Sequence, residues 1–260
     1  VRALRALPIL LSLFLLAACQ RDASNPEPAA AKPARPAMSE TDEHSRAEPD
    51  KVVIEDLALD LALDFDSRTL SGTATYRLDW KDPSATVLAL DTRDLSIRKV
   101  EAEVDGAWQP LQFALDEADP VLGSRLRIEA PQRPARVRVT YRTSPGASGL
   151  QWLTPEMTEG KQLPFMFSQS QQIHARSWVP LQDTPQVRYT YTARVTTRPD
   201  VMVLMSADND PAAERDGEYH FAMPQPIPSY LMAIADGDLV FKQISERSGV
   251  WAEPAMVERA

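Results

Sequence analysis

The chain has 260 residues, 43% of them apolar, a formal net charge of −9 and a single cysteine. The acidic excess argues against a nucleic-acid partner, whose phosphates select basic faces, and offers no basic surface for adhesion to a membrane. One cysteine excludes an internal disulfide framework, so an exported domain built from this chain must rest on its hydrophobic core.

The first 19 residues read as a targeting segment. Arg2 and Arg5 precede an apolar run, Ile9 to Ala18, interrupted only by Ser12, and the small pair Ala17-Ala18 leads into Cys19. The run is too short to cross a bilayer, which takes about 20 apolar residues. Leu16-Ala17-Ala18-Cys19 resembles the bacterial lipobox, whose cysteine becomes the lipidated first residue of the mature protein. An ordinary signal peptide that contains a cysteine is the alternative. On the lipobox reading Cys19 is the lipidation site and lipid is the only membrane contact. Gln20 then favours the outer membrane, with the protein facing the periplasm. Residues 20–50 are rich in Ala, Pro, Ser and acidic residues and lack aromatic residues and apolar periodicity, the composition of a disordered tether. His44, with Asp42, Glu43 and Glu48 around it, reads as solvated linker charge rather than a metal site.

From residue 51 to residue 251 the pattern is that of one all-β domain. Leu57, Leu59, Leu61, Leu63 and Phe65 alternate with Asp60, Asp64 and Asp66. The same period of two runs through Ala74–Trp80, Val137–Tyr141 and Tyr189–Val195, as antiparallel sheets with one wet face require. Val87–Leu90, Ile97–Glu103, Arg125–Glu129, Val201–Ser206, Glu218–Ala222 and Tyr230–Gly237 are further expected strands, and turn signals such as Asp105-Gly106 and Asp216-Gly217 separate them. No internal segment carries a helical stripe with caps. Residues 252–260 follow a strand that closes at Trp251. Pro254 and Glu253 suit the first turn of a helix leading into a further domain, and a frayed tail is the alternative.

Between Thr143 and Gln186 the alternation lapses, and a long loop in a compact sheet protein is where function concentrates. It gathers Gln169, Gln171, Gln172, His174, Arg176, Gln182 and Asp183 among Trp152, Phe165, Phe167 and Trp178. Glutamine suits recognition of an amine or amide, because its carbonyl accepts while its NH2 donates. By residue type alone the segment is equally a ligand-binding edge or a packed structural loop.

Five stretches in order, LALDTRDLSIRKV (Leu88–Val100), TYRTSPGASGLQWL (Thr140–Leu153), FSQSQQIHARSWVPLQDTP (Phe167–Pro185), Met205-Ser206-Ala207 and PIPSY (Pro226–Tyr230), give the chain a clear likeness. It resembles the N-terminal domain of the aminopeptidase N family of zinc metallopeptidases, in its leukotriene hydrolase branch. The resemblance implies a saddle-like, multi-stranded β structure docked against a thermolysin-like catalytic domain. It implies that Gln171 binds the free N-terminal amine of a peptide substrate, with Gln169 lining the same pocket and Gln172 shaping it in place of a small residue. His174 and Arg176 match the pattern as residues that place the loop. The catalytic zinc of the family needs two histidines four apart on a helix with a glutamate between them, a further glutamate, and a GxMEN segment. His44, His174 and His220 do not supply this, so no catalytic or metal-binding residue is assigned and the chain by itself is expected to be inactive. The expected partners are a peptide with a free N-terminus, a catalytic domain in cis that brings the zinc, and the membrane through lipid. The alternative is a complete, non-catalytic lipoprotein that binds peptides or acts as a scaffold.

Overall fold

The computed structural model describes residues 42–260. In chain order its strands are β1 (Val52–Asp64), β2 (Thr69–Trp80), β3 (Val87–Thr92), β4 (Ser96–Val104), β5 (Ala107–Pro110), β6 (Phe113–Leu115), β7 (Ser124–Glu129) and β8 (Arg136–Arg142). They continue with β9 (Leu150–Leu153), β10 (Phe165–Ser168), β11 (Tyr189–Thr196), β12 (Met202–Met205), β13 (Glu218–Ile227), β14 (Ile234–Gly237), β15 (Val240–Ser245) and β16 (Ser248–Ala252). Helical structure among the described residues is confined to three single 3-10 turns, at Pro155–Met157, Ala175–Ser177 and Ser229–Leu231.

A seven-stranded sheet in the order β13-β11-β1-β2-β8-β4-β5 forms the largest layer, joined by a four-stranded sheet β12-β14-β10-β9, a three-stranded sheet β3-β7-β6 and the β15-β16 hairpin. The expected period of two is visible side chain by side chain. Leu57, Leu59, Leu61 and Leu63 are buried, while Asp60 and Ala62 between them and Asp64 after them are exposed. Their core partners include Tyr76 on β2, Val137, Val139 and Tyr141 on β8, and Tyr189, Tyr191 and Val195 on β11. Each such aliphatic side chain contributes about 1.5–3 kcal/mol on leaving water. Gly72 lies opposite Leu61 in the β1–β2 ladder, and a Cβ there would come within 1.9 Å of the Asp60 carbonyl oxygen. Only glycine lets the two strands approach so closely at that point.

Four details depart from the sequence reading. The all-β class holds, but one pairing inside the large sheet is parallel, Asp56–Ala62 of β1 alongside Thr190–Thr196 of β11. Parallel neighbours need a long crossover, and here the chain between them builds most of the other strands before returning. The segment expected to lack alternation contains β9 and β10, whose sequences LQWL and FMFS carry one polar residue each, too few to mark a period of two. Ser229–Leu231 is a turn rather than the start of a strand, and β14 begins only at Ile234.

The fourth departure is at the N-terminal edge. Cys19, the targeting segment and the tether up to residue 41 lie outside the described residues. Residues 42–50, expected as the end of that tether, pack on the domain: Ser45 Oγ and Arg46 N donate to the Asp91 carboxylate at 2.6 and 2.7 Å. Arg125 Nη2 donates to Glu48 Oε2 at 2.6 Å. Polar composition argued for disorder, yet hydrogen bonds to groups in the folded body offset the ordering entropy that apolar burial does not. After β16, Met256 N and Val257 N both donate to the Glu253 carbonyl, and Val257 is buried.

Candidate functional site

The site is built where β10 leaves its sheet. β10 pairs with β9 on one side and β14 on the other, and at Ser168 the chain turns into Gln169–Gln172. Ser170 pins this turn from below. Its hydroxyl donates to the Met232 carbonyl at 2.6 Å and accepts from Trp178 Nε1 at 3.1 Å, both buried. His174 N donates to the Ser170 carbonyl and Gln169 N to the Gly149 carbonyl. With Ser170 buried, its neighbours Gln169 and Gln171 are exposed. The Gln171–Gln172 peptide bond is cis. Gln171 and Gln172 line a cavity of about 380 Å³ together with Asp42, His44 and Tyr230. Gln169 does not line it; its side-chain carbonyl accepts the Gln171 N–H at 3.1 Å, and so shapes the turn.

Behind the turn stands a buried ionic cluster. Arg176 is wholly buried and donates from Nε to Asp183 Oδ2 at 2.9 Å, from Nη1 to the Leu122 carbonyl, and from Nη2 to the carbonyls of His44 and Asp183. Asp183 Oδ1 accepts from Ser229 Oγ, and Asp183 N donates to Asp91 Oδ2 at 3.0 Å. Burial pushes the Asp91 carboxyl above the usual carboxylate range, against the pull of the Arg176 charge. Gln182, also wholly buried, extends the β1 ladder with its side chain: Oε1 accepts Ile54 N at 2.9 Å and Nε2 donates to the Val52 carbonyl at 2.8 Å. Arg176, Gln182 and Asp183 are thus framework. They tie their segment to β1, to Leu122 and to His44, and none of them lines the cavity.

His174 has the same character. Its Nδ1 is hydrogen-bonded to Ser148 Oγ at 2.9 Å and to Arg93 Nη1 at 3.2 Å. A guanidinium only donates, so Nδ1 accepts and the ring is neutral. Burial, then the Arg93 charge, hold its pKa below the ordinary histidine value. His220 Nε2 lies 3.0 Å from Glu218 Oε1 on the exposed face of β13. Among the described residues no three His, Cys, Asp or Glu side chains converge as zinc requires. These residues do not fit a catalytic zinc.

Asp42 and His44, expected as solvated linker charge, line this cavity instead. The one local signal is an Asx turn, in which Asp42 Oδ1 accepts the His44 N–H at 2.9 Å. What seats the segment is Asp91 and Arg176, 45 to 132 residues further along the chain.

Residues 48–231 match the family model described as the Peptidase M1 N-terminal domain. Leukotriene A-4 hydrolase of Xenopus laevis is 37% identical over 227 residues, 84% of this chain and 37% of that protein. The structure of native leukotriene A4 hydrolase from Saccharomyces cerevisiae superposes with a TM-score of 0.75 at 31% identity, covering 87% of this chain and 35% of the yeast chain. An M1 zinc metallopeptidase of Deinococcus radiodurans shares the fold with a TM-score of 0.60 at 19% identity, over 79% of this chain and 47% of its own. The chain spans little more than a third of the length of the leukotriene hydrolases it matches. It belongs to the peptidase M1 family and carries that family's N-terminal domain.

Proposed function

We propose that this domain forms one wall of the substrate cleft of a zinc metallo-aminopeptidase that removes N-terminal residues from peptides. The observation that carries the reading is the exposed Gln171-Gln172 edge of a 380 Å³ cavity, in a domain matched to peptidase M1 relatives. A glutamine carbonyl held on a pinned turn can accept a hydrogen bond from the ammonium of a free N-terminus, which admits peptides by their amine end. Gln172 bounds the space beside it, and Gln169 sets the turn. Zinc, and the groups that activate water on it, belong in this reading to a catalytic domain in cis. The domain described here contributes binding and orientation and is inactive alone. The reading further places the protein in a bacterial envelope, tethered through lipid on Cys19 and facing the periplasm.

The test is Gln171→Ala in the full-length protein, with leucine p-nitroanilide as substrate. Losing one hydrogen bond to a charged amine costs about 1.5–3 kcal/mol, so kcat/KM should fall about 10- to 150-fold. An unchanged kcat/KM removes Gln171 from substrate binding. The anchor is tested separately: Cys19→Ser should move the protein from the membrane to the soluble fraction, and an unaltered distribution rejects the lipid.

A further inference from the structure

Residues 42–46 are held to the domain by buried groups and end at the same cavity as Gln171. Asp91 receives Ser45 Oγ and Arg46 N, and Arg176 Nη2 donates to the His44 carbonyl at 2.8 Å. The segment is therefore seated by the buried Asp91 and Arg176 side chains, while the 169–172 turn is held separately, through Ser170 to Met232 and Trp178. The Asp42 side chain is only 20% exposed, and its sole ion-pair partner among the described residues is His44 Nδ1, at 3.6 Å. The cavity is thus lined by a half-buried carboxylate that pairs with no Lys or Arg among the described residues and by two amide side chains that can accept. That set of groups suits a cation able to donate several hydrogen bonds, as a primary ammonium does.

We propose that residues 42–46 are a strap forming a working wall of the ligand cavity, where Asp42 joins Gln171 in holding the protonated amine of the ligand and Ser45 positions Asp42 by closing on Asp91. The proposal rests on the reading of the cavity as the seat of a free amine. It adds a charged residue from the segment whose composition resembles a linker. Gln171 alone offers the ammonium one neutral acceptor; with Asp42 the cavity offers a charged one as well. Ser45 touches no ligand and acts through the position of the strap.

Calorimetry on the full-length protein tests this with two probes, leucinamide and 4-methylpentanamide, which differ only in the amine. Asp42→Asn should weaken leucinamide about tenfold and leave 4-methylpentanamide unchanged, since only the charged hydrogen bond is lost. Ser45→Ala should weaken leucinamide about threefold, with recovery in Ser45→Thr, which keeps the hydroxyl. Equal loss for both probes in Asp42→Asn, or no loss for either, overturns the strap as a binding wall. Gln171→Ala separates the two readings. If it weakens leucinamide while Asp42→Asn does not, the amine site stands and the strap proposal falls. If Asp42→Asn is selective and Gln171→Ala is silent, the strap proposal stands and the Gln171 assignment fails. If the wild-type protein binds neither probe, both fall.

Discussion

Asp236 is a buried carboxyl whose titration should be visible in the stability of the domain. It lies on β14 with Met166 of β10 on one side and Val203 of β12 on the other, and it is wholly buried. Oδ2 accepts from Thr197 Oγ1 at 2.6 Å, whereas Oδ1 has no partner among the described residues. Burial raises its pKa from 3.8 to about 7; the Thr197 hydrogen bond and the Arg198 charge oppose the shift, and Asp200 adds to it. A folded-state pKa above the unfolded one means that the native state holds an extra proton between the two values. The contribution is fully present below about pH 4 and is lost as pH rises toward 7, with a slope of about 1.4 kcal/mol per pH unit and a total on the order of 4 kcal/mol. Asp236→Asn keeps an acceptor for Thr197 and does not titrate. Urea unfolding of both proteins from pH 4 to pH 8 gives the difference in stability at each pH, in which every other titrating group cancels. The wild-type advantage should shrink from pH 4 to about pH 7 and then level off, leaving the variant relatively more stable at pH 8 than at pH 4. A difference that stays flat from pH 4 to pH 8 would refute the argument.

Three further outcomes follow from the framework. Arg176→Met leaves Asp91 and Asp183 buried without their cation and should cost about 3–5 kcal/mol in urea unfolding, part of it recovered by adding Asp91→Asn; a cost below about 1 kcal/mol would show that the cluster does not hold the fold. Gly72→Ala drives a methyl group into the Asp60 carbonyl and should cost on the order of 2 kcal/mol, read as a lower urea midpoint at unchanged m-value. Glu253 accepts the N–H groups of Glu159 and Gly160 at 3.0 and 3.1 Å, which ties the β9–β10 loop down. Glu253→Ala should therefore speed trypsin cleavage after Lys161, and an unchanged rate would show that the loop is held by other contacts.

The large sheet was readable from the chain because its information is local. Leu57 to Leu63 on β1 and Tyr189 to Val195 on β11 alternate wet and dry residue by residue, and that alternation determines both the strand and the face it buries. β9 and β10 were not readable, since LQWL and FMFS each carry a single polar residue among large apolar ones and a period needs contrast. The parallel seating of β1 against β11 was equally hidden, because alternation states which face is dry and not which strand lies alongside.

The site divides along the same line. Its glutamines were readable as a group that could recognise an amine, and the likeness of the surrounding stretches to aminopeptidases pointed to Gln171. The sequence by itself determined the all-β class, the core faces and the chemistry available in the 169–172 turn. The tertiary structure alone decided that Gln182 and Asp183 are framework and that Asp42 and His44 share the cavity. The reason is range. Periodicity and residue type act over a few neighbours, whereas the bonds that seat the strap and the turn join groups as far as 132 residues apart and exist only once the sheets have brought them together.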